Sequence, residues 1–228
     1  MSRNAYARLA GFMFLFYIAN GITDMVVSGR IRHGADAAAI LANIAQHAGT
    51  MRFTTFLTFL TGIDAILLGL GLYAITRRVE PDLAILAFAF RVAEGINGVM
   101  AGVHNANVVE FATRTAGGAD RAVVNTVGTS LLYGGGVSIG GTLFACGSAI
   151  FAYLILRGRI LPVWLAWIGV AASVLLVVAL PLQMCGVAVS NYVWIPMAFF
   201  EVVGGVWLLV RGAGTAEESL PASAGFQP

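Results

Sequence analysis

Lysine is absent from this 228-residue chain, and all 13 basic residues are arginine. Without lysine the chain can form neither a retinal or pyridoxal Schiff base nor a P-loop nucleotide site, because each requires a lysine amine. Charged residues make up only 11% of the chain, whereas 59% of it is hydrophobic. Soluble domains carry about 25% charged residues. The composition therefore predicts a protein whose main partner is the lipid bilayer, and no nucleic-acid partner is expected.

Histidine and cysteine are also scarce. The three histidines, His33, His47 and His104, lie away from the middles of the apolar stretches, so facing histidine pairs for a transmembrane haem are not available. Cys146 and Cys185 show no metal or redox spacing and are expected to be buried packing residues. We therefore expect no metal and no cofactor, and we expect an enzyme less than a binding or transport protein.

Hydropathy predicts an all-α, polytopic membrane helix bundle, because six apolar runs approach the roughly 20 residues that a span requires. The predicted spans are about 9–28, 53–76, 83–105, 132–156, 161–183 and 192–211. Together they form one six-span transmembrane domain over 1–211. The small, polar and proline-containing residues of 212–228 predict a disordered cytoplasmic tail.

Two connecting segments carry predictions of their own. Asp36 precedes an alanine-rich run and is expected to cap a short helix that continues to about Ala45, with Gly49 after its end. This helix is expected on the outer surface. Residues 113–125 are expected to form a polar loop that leads into the fourth span.

The arginines predict the orientation of the bundle. One side carries seven, at Arg3, Arg8, Arg77, Arg78, Arg157, Arg159 and Arg211, and the other carries five, at Arg30, Arg32, Arg52, Arg114 and Arg121. This bias favours a multi-pass protein of the cell inner membrane with both termini in the cytoplasm. The first run is expected to remain as a span, since it is longer than a signal-peptide core and contains Asn20 and Asp24.

Four ionisable residues lie near the middle of apolar stretches: Asp64, Arg91, Glu94 and Glu201. A charge inside a bilayer costs several kcal/mol unless it is paired or hydrated, so such residues indicate an internal network or a functional site. With three carboxylates and one guanidinium, at least one carboxylate should carry a proton or lie beside a cation or water. Weaker candidates for ligand or proton binding are Asp24, Asn105 and His104.

The polar residues share helix faces. At 100° per residue one face of the third span holds Arg91, Glu94, Gly95, Gly98, Gly102 and Asn105. A stripe on the first span holds Tyr17, Asn20, Gly21, Asp24 and Ser28. We expect these faces to turn inward and the third helix to be a hub that contacts the first and sixth. Asp24, Asp64 and Glu201 should approach it, and Glu94 and Glu201 would be equivalent in a three-plus-three inverted repeat.

Several spaced motifs then resemble a known family. They are Arg8-Leu9-Ala10-Gly11, Phe90-Arg91-Val92-Ala93-Glu94, Tyr153-Leu154-Ile155 through Gly158 to Leu161-Pro162, and Pro196 with Glu201 and Trp207-Leu208-Leu209-Val210. From about Arg8 to Gly212 the chain resembles the bacterial polytopic membrane family catalogued as domain of unknown function 4386. The resemblance implies a bacterial inner-membrane protein without an established activity. Members often carry a histidine in the fourth-span region, and residues 131–156 have none here.

Three functions remain open on the sequence. The first is a small transporter or ligand-binding membrane protein that uses the carboxylate and arginine cluster toward a small molecule, a proton or a cation. The second is a non-catalytic membrane module that binds a protein or lipid partner, with the cluster purely structural. The third is an intramembrane enzyme with Glu94 and Glu201 as acid and base. The oligomeric state is left open.

Overall fold

The computed structural model describes residues 2–133 and 139–214, which form eight α-helices and one 3-10 turn and contain no β-strand. The predicted all-α fold is confirmed. The helices are α1 Arg3–Ile31, α2 Ala37–Gln46, α3 Ala48–Thr76, α4 Pro81–Thr115, α5 Arg121–Tyr133, α6 Ile139–Arg157, α7 Val163–Met184 and α8 Ile195–Arg211, with the 3-10 turn Asn191–Trp194 directly before α8.

Six helices are long and apolar enough to cross a membrane: α1, α3, α4, α6, α7 and α8 with its preceding turn. This number agrees with the prediction. The first three spanning helices, α1, α3 and α4, extend beyond their predicted spans. The difference is largest for α4, which ends at Thr115 rather than near 105. The fourth span differs in the other direction, because α6 begins at Ile139 and residues 132–133 belong to α5.

The spanning helices pack as a ring in chain order. α1 packs on α3, α3 on α4, α4 on α6, α6 on α7, α7 on α8, and α8 packs back on α1, while α3 and α6 also touch. In such a ring α4 lies opposite α8, and α1 lies opposite α6. The hub prediction is therefore wrong in part: α1 and α8 pack on each other, but within the described residues neither backbone packs on α4. Long side chains reach the space between them instead.

Glycines set the closest approaches in the ring. A Cβ on Gly62 of α3 would lie 2.7 Å from the Gly95 carbonyl oxygen of α4. A Cβ on Gly11 of α1 would lie 2.6 Å from the Gly205 carbonyl oxygen of α8. Close backbone approach through small residues is an ordinary means of packing membrane helices. These contacts hold α3 against α4 beside Glu94, and α1 against α8 beside Glu201.

A small cap covers the ring at the end where α4 finishes; we define it as α2, α5 and residues 108–115 of α4. With 35 residues, α4 is about 52 Å long and exceeds the roughly 30 Å of a hydrocarbon core. The cap and the adjoining ends of α1 and α3 have their own buried apolar cluster. Its members are Ile31, Ala38, Ile40, Leu41, Ile44, Met51, Val108, Val109, Ala112 and Val124.

The cap confirms one predicted feature and corrects others. Asp36 caps α2, since its carboxylate accepts a hydrogen bond of 2.8 Å from the Ala39 N–H. α2 buries one face in the cap, and its expected place on the outer surface stays a prediction. Gly49 follows the end of α2 as expected, but it belongs to α3. Residues 121–125, predicted as loop, begin α5.

The start of the predicted tail is folded. Ala213 is buried, and the Gly214 N–H donates a hydrogen bond of 3.1 Å to the Ile160 carbonyl. A Cβ on Gly212 would lie 3.0 Å from the Asn4 side-chain oxygen, so the chain returns to the side of the bundle on which it began. The rest of the predicted tail, 215–228, lies outside the described residues.

Candidate ligand site in the helix ring

All four mid-span charged residues are buried inside the ring. Their exposed fractions are 2% for Asp64, 1% for Arg91, 6% for Glu94 and 3% for Glu201. The prediction that these side chains turn away from lipid is confirmed. α3 contributes Asp64, α4 contributes Arg91 and Glu94, and α8 contributes Glu201 from the opposite side of the ring.

Arg91 and Glu94 form an ion pair one helical turn apart. Arg91 Nη1 lies 2.8 Å from Glu94 Oε2, without the alignment of a hydrogen bond. The Tyr17 hydroxyl of α1 donates a hydrogen bond of 3.0 Å to Glu94 Oε1. Glu94 is therefore bound by Arg91 of its own helix and by Tyr17 of α1. The hydrogen bond from Tyr17 joins α1 to α4, although the backbones of these two helices do not pack on each other.

The Arg91 guanidinium rests on aromatic rings. Its carbon Cζ lies 5.7 Å from the centroid of the Tyr17 ring and 5.1 Å from that of Phe144. Its Nε and Nη2 are buried and have no hydrogen-bond partner among the described residues. Contacts with the faces of aromatic rings stabilise a cation, more so when it is desolvated. The charge of Arg91 is thus balanced by one carboxylate and two rings.

Within the cluster, Asp64 and Glu201 are the two carboxylates that have no direct partner among the described residues. Both oxygens of Asp64 are buried and accept no hydrogen bond from any described residue. Glu201 likewise forms neither a hydrogen bond nor an ion pair within the described ranges, although the charges of Arg91, Glu94 and Asp64 act on it. A buried ionised carboxylate needs such a partner. The arrangement leaves room for protons, water or a cation.

Two cavities adjoin the cluster, and each contains one glutamate. The Glu94 cavity has a volume of about 200 Å³ and the Glu201 cavity about 320 Å³. The first is lined by Thr61, Gly62, Ala65, Glu94, Asn97, Gly98, Gly140 and Gly141. The second is lined by Ile18, Gly21, Ile22, Met25, Met197, Ala198 and Glu201.

Three aromatic side chains line both cavities: Tyr17, Phe144 and Trp194. The Tyr17 and Phe144 rings stack with centroids 6.2 Å apart and planes at 15°, and Phe144 meets Trp194 at 5.7 Å and 43°. Because α1 and α6 are opposite in the ring, this stack crosses its interior. We call these three rings the aromatic partition. It separates Glu94 from Glu201, and Arg91 lies against it.

The other sequence candidates lie toward the cap and not in the cluster. Asn105, about 16 Å beyond Glu94 along α4, accepts a hydrogen bond of 2.9 Å from Arg32. His104 Nε2 lies 3.0 Å from the Leu131 carbonyl oxygen. Asp24 accepts a hydrogen bond of 2.8 Å from Ser28 on its own helix. The expectation that α1 brings Asp24 toward α4 stays a prediction, since the contact that the structure gives its carboxylate is with Ser28 of its own helix.

Sequence reasoning missed the residues that shape the cavities. Phe144 carries no sequence signal, since phenylalanine is ordinary in an apolar span. Trp194 fits an interfacial anchor at the start of the sixth span, but it lines both cavities. Tyr17 was on the predicted polar stripe, and that stripe could have identified it as the partner of a buried charge.

Metal and nucleophile sites receive little support from the geometry. Among the described residues no three His, Cys, Asp or Glu side chains are placed to hold a metal ion. The sequence from Gly136 to Gly140 reads Gly-x-Ser-x-Gly, but a nucleophile elbow follows a strand, and the described ranges contain none. Gly136 and Ser138 of this motif lie outside the described residues. Cys185 is exposed, contrary to its expected burial.

The sequence motifs suggested a family, and comparison of the chain with known proteins tests that resemblance. No curated protein matches the chain, and no solved structure matches it. A family model covers residues 9–212, which include the charged cluster and the aromatic partition. That family is described as Domain of unknown function (DUF4386), and the chain belongs to it.

Proposed function

We propose that this multi-pass membrane protein is a small transporter or ligand-binding protein that acts on a proton or a cation through its carboxylate and arginine cluster. The observation that carries the proposal is the pair of cavities, each with one buried glutamate, on the two sides of the aromatic partition. Two such cavities around charged groups contribute nothing to helix packing. They are useful in a protein that transfers a proton or a cation from one cavity to the other.

The charge balance supports the same proposal. Arg91 is the one cation of the cluster within the described residues, and it pairs with Glu94. Asp64 and Glu201 are then uncompensated, and in a low-dielectric interior two such carboxylates favour uptake of protons or of a cation. Exchange of that positive charge with a cavity would be the elementary step of transport.

The ring gives this exchange a route. Glu94 and Glu201 extend from opposite helices, α4 and α8, toward the partition between them. Transporters built from inverted three-helix repeats bind substrate where the repeats meet and alternate access around that site. Here α1, α3 and α4 would form one unit and α6, α7 and α8 the other. Rocking of the units would separate the Tyr17 and Phe144 rings, which α1 and α6 contribute.

We further propose that the protein lies in the bacterial inner membrane with both termini in the cytoplasm. Seven arginines lie on the side of the termini and five on the side of the cap. The positive-inside rule favours this orientation. Reporter fusions after Gly117, between α4 and α5, and after Arg211 should report the periplasm and the cytoplasm respectively. Reports from one and the same side would contradict it.

A flux assay tests the proposed activity. In proteoliposomes with an internal pH-sensitive dye, Glu201→Gln should abolish pH-dependent flux and leave the folded yield near wild type, because glutamine mimics the protonated acid and cannot release a proton. Glu94→Gln should also lose flux. Glu110→Gln is the matched control, since Glu110 is exposed on α4 and, within the described ranges, forms its one ion pair with Arg114. Wild-type flux in Glu201→Gln would end the proposal for that residue.

One observation favours a second function, that of a non-catalytic module. Tyr17, Glu94 and Arg91 connect α1 to α4 and could serve only to fix the positions of these helices. In that case Glu201→Gln changes little, whereas loss of Arg91 impairs folding. An acid and base pair is not proposed, since Glu94 and Glu201 line different cavities and do not face one substrate.

A further inference from the structure

Apart from Glu201 and the aromatic partition, the walls of the Glu201 cavity are apolar side chains of α1 and α8. α1 contributes Ile18, Ile22 and Met25, and α8 contributes Met197 and Ala198. Its volume of about 320 Å³ is within the range of small-molecule sites. A cavity lined in this way takes an apolar ligand body.

The cavity is a cleft where α1 and α8 diverge. The helices touch at Gly11 and Gly205, whereas a Cβ on Gly21, three turns further along α1, would meet no atom within 4 Å. At the rim Ile22 is 53% exposed and Met25 is 68% exposed. In a membrane these exposed apolar side chains face lipid, so a ligand would enter sideways from the bilayer.

Glu201 gives the cavity its one charged group. The carboxyl is 3% exposed and without a hydrogen bond or ion pair among the described residues. It repels an anion. Calcium takes six to eight oxygen ligands and magnesium takes six, but the other oxygen-bearing side chain here, Tyr17, already donates to Glu94. A cation with an organic body satisfies both the carboxylate and the apolar walls.

An aromatic face completes the site. Arg91 lies over the Tyr17 and Phe144 rings, while no cation contacts Trp194 in the described structure. The rings of Trp, and less so of Tyr and Phe, attract ammonium groups. We propose that the Glu201 cavity binds a lipophilic organic cation, an amine or quaternary ammonium, with Glu201 as its counter-ion and Trp194 as its aromatic contact. This deepens the proposed function, on which it rests, by naming the substrate class.

Equilibrium binding of radiolabelled benzyltrimethylammonium to the full chain in nanodiscs tests the proposal. Wild type should bind it saturably, and Glu201→Gln should bind it at least tenfold more weakly. Neopentylbenzene has the same shape without the charge and should not compete. Equal competition by this neutral isostere, or no saturable binding by folded wild type, would overturn the proposal.

Two glycine variants separate cavity occupancy from folding. Gly21 lines the cavity and Gly29 lies outside it on the same helix, and a Cβ at either position meets no atom within 4 Å. Gly21→Leu should fill the cavity and weaken binding at least tenfold, whereas Gly29→Leu should bind as wild type does. Wild-type binding in both Gly21→Leu and Glu201→Gln would place the cation elsewhere and refute the site.

The binding assay and the flux assay can refute the organic-cation site and the transport function separately. Saturable, Glu201-dependent binding without any flux would remove transport from the proposed function and keep the organic-cation site. Glu201-dependent proton flux without cation binding would keep the proposed function and refute the organic-cation site. The loss of both in a folded protein would leave the structural module.

Discussion

The charged side chains of the ring interior and those of the cap differ in how completely they are hydrogen-bonded. At the cap, the Asp36 carboxylate accepts hydrogen bonds from the Ala39 N–H and from Arg121, and Asn125 accepts one from the Ala38 N–H. Inside the ring, two nitrogens of Arg91 and both oxygens of Asp64 have no hydrogen-bond partner in the described residues. A purely structural network would show the reverse, because unpaired polar groups cost most where water is excluded.

The largest effect is expected when the interior loses its cation. Arg91→Ala removes the positive charge shared by Glu94 and the aromatic partition and leaves the buried Glu94 carboxylate without its ion-pair partner. Breaking a buried pair in this way costs about 3–5 kcal/mol. The free energy of unfolding in detergent, measured by circular dichroism over a denaturant series, should fall by that amount.

A double variant checks the cause of that loss. Arg91→Met with Glu94→Gln removes both charges and should recover much of the stability, since a neutral, well-packed replacement of a buried ion pair is often tolerated. Equal destabilisation in the single and double variants would mean that packing of the arginine stem, and not the stranded charge, is responsible.

The second largest effect is expected from a substitution in the cap core, which should destabilise the cap and leave the ring folded. Leu41 is 1% exposed and packs in the cap cluster, where a Cβ on Gly128 would lie 2.5 Å from its Cδ1. Leu41→Ala should cost about 2–5 kcal/mol locally. Hydrogen exchange should accelerate in α2 and α5 and stay unchanged in α7. Gln46→Ala, at an exposed position of α2, is the matched control, and a protein-wide change in exchange with Leu41→Ala would show that cap and ring unfold together.

The same contrast explains what the sequence could predict of the fold. The six spans can be recognised in the sequence because a helix that crosses lipid requires a long apolar run. The helix α5 was missed because polar side chains are interspersed among its apolar ones, and only Val124 and Gly128 are buried. Such a segment lacks the long apolar run by which the spans were found. The order of the helices around the ring could not be predicted from the sequence either, because other orders would bury the same polar faces.

The site was predictable where it is charged and not where it is aromatic. Asp64, Arg91, Glu94 and Glu201 stand out because a charge in an apolar run is costly wherever the helix packs. Phe144 does not stand out among 14 phenylalanines. Its role depends on α6 lying opposite α1, which is a property of the ring and not of local sequence.

A third, smaller effect concerns the contact that places α4. A Cβ on Gly62 would lie 2.7 Å from the Gly95 carbonyl oxygen and 2.8 Å from the Val99 nitrogen, and backbone atoms cannot rotate away. Gly62→Ala should therefore destabilise by about 1–3 kcal/mol, the usual cost of overpacking. Gly29→Ala, with open space around it, should be neutral or stabilising by up to about 1 kcal/mol. Thermal unfolding of the two variants in one detergent compares them, and equal stability would argue against the close α3 and α4 packing.

The smallest effect lies in the cap and depends on pH. The hydrogen bond from the Ala39 N–H, and then the bond from Arg121, hold the pKa of the Asp36 carboxyl below its ordinary value of 3.8. A lowered pKa in the folded state contributes stability that is present above the unfolded value and is lost as the pH falls through the folded pKa. Asp36→Asn keeps the capping geometry without the charge, so wild type should be the more stable of the two at pH 6.

That advantage should shrink as the pH falls below 3.8 and vanish below the folded pKa, where the wild-type carboxyl is protonated in the folded protein as well. Hydrogen exchange in α2 at pH 6 and at a pH below the folded pKa measures the difference, and an NMR titration of the labelled carboxyl reads the pKa directly. Arg121→Ala should raise that pKa only in part, since the backbone hydrogen bond is the larger cause. A carboxyl that titrates at its ordinary value would show that the exposed cap is as weakly paired as the interior, and the contrast between the two regions would lose its basis.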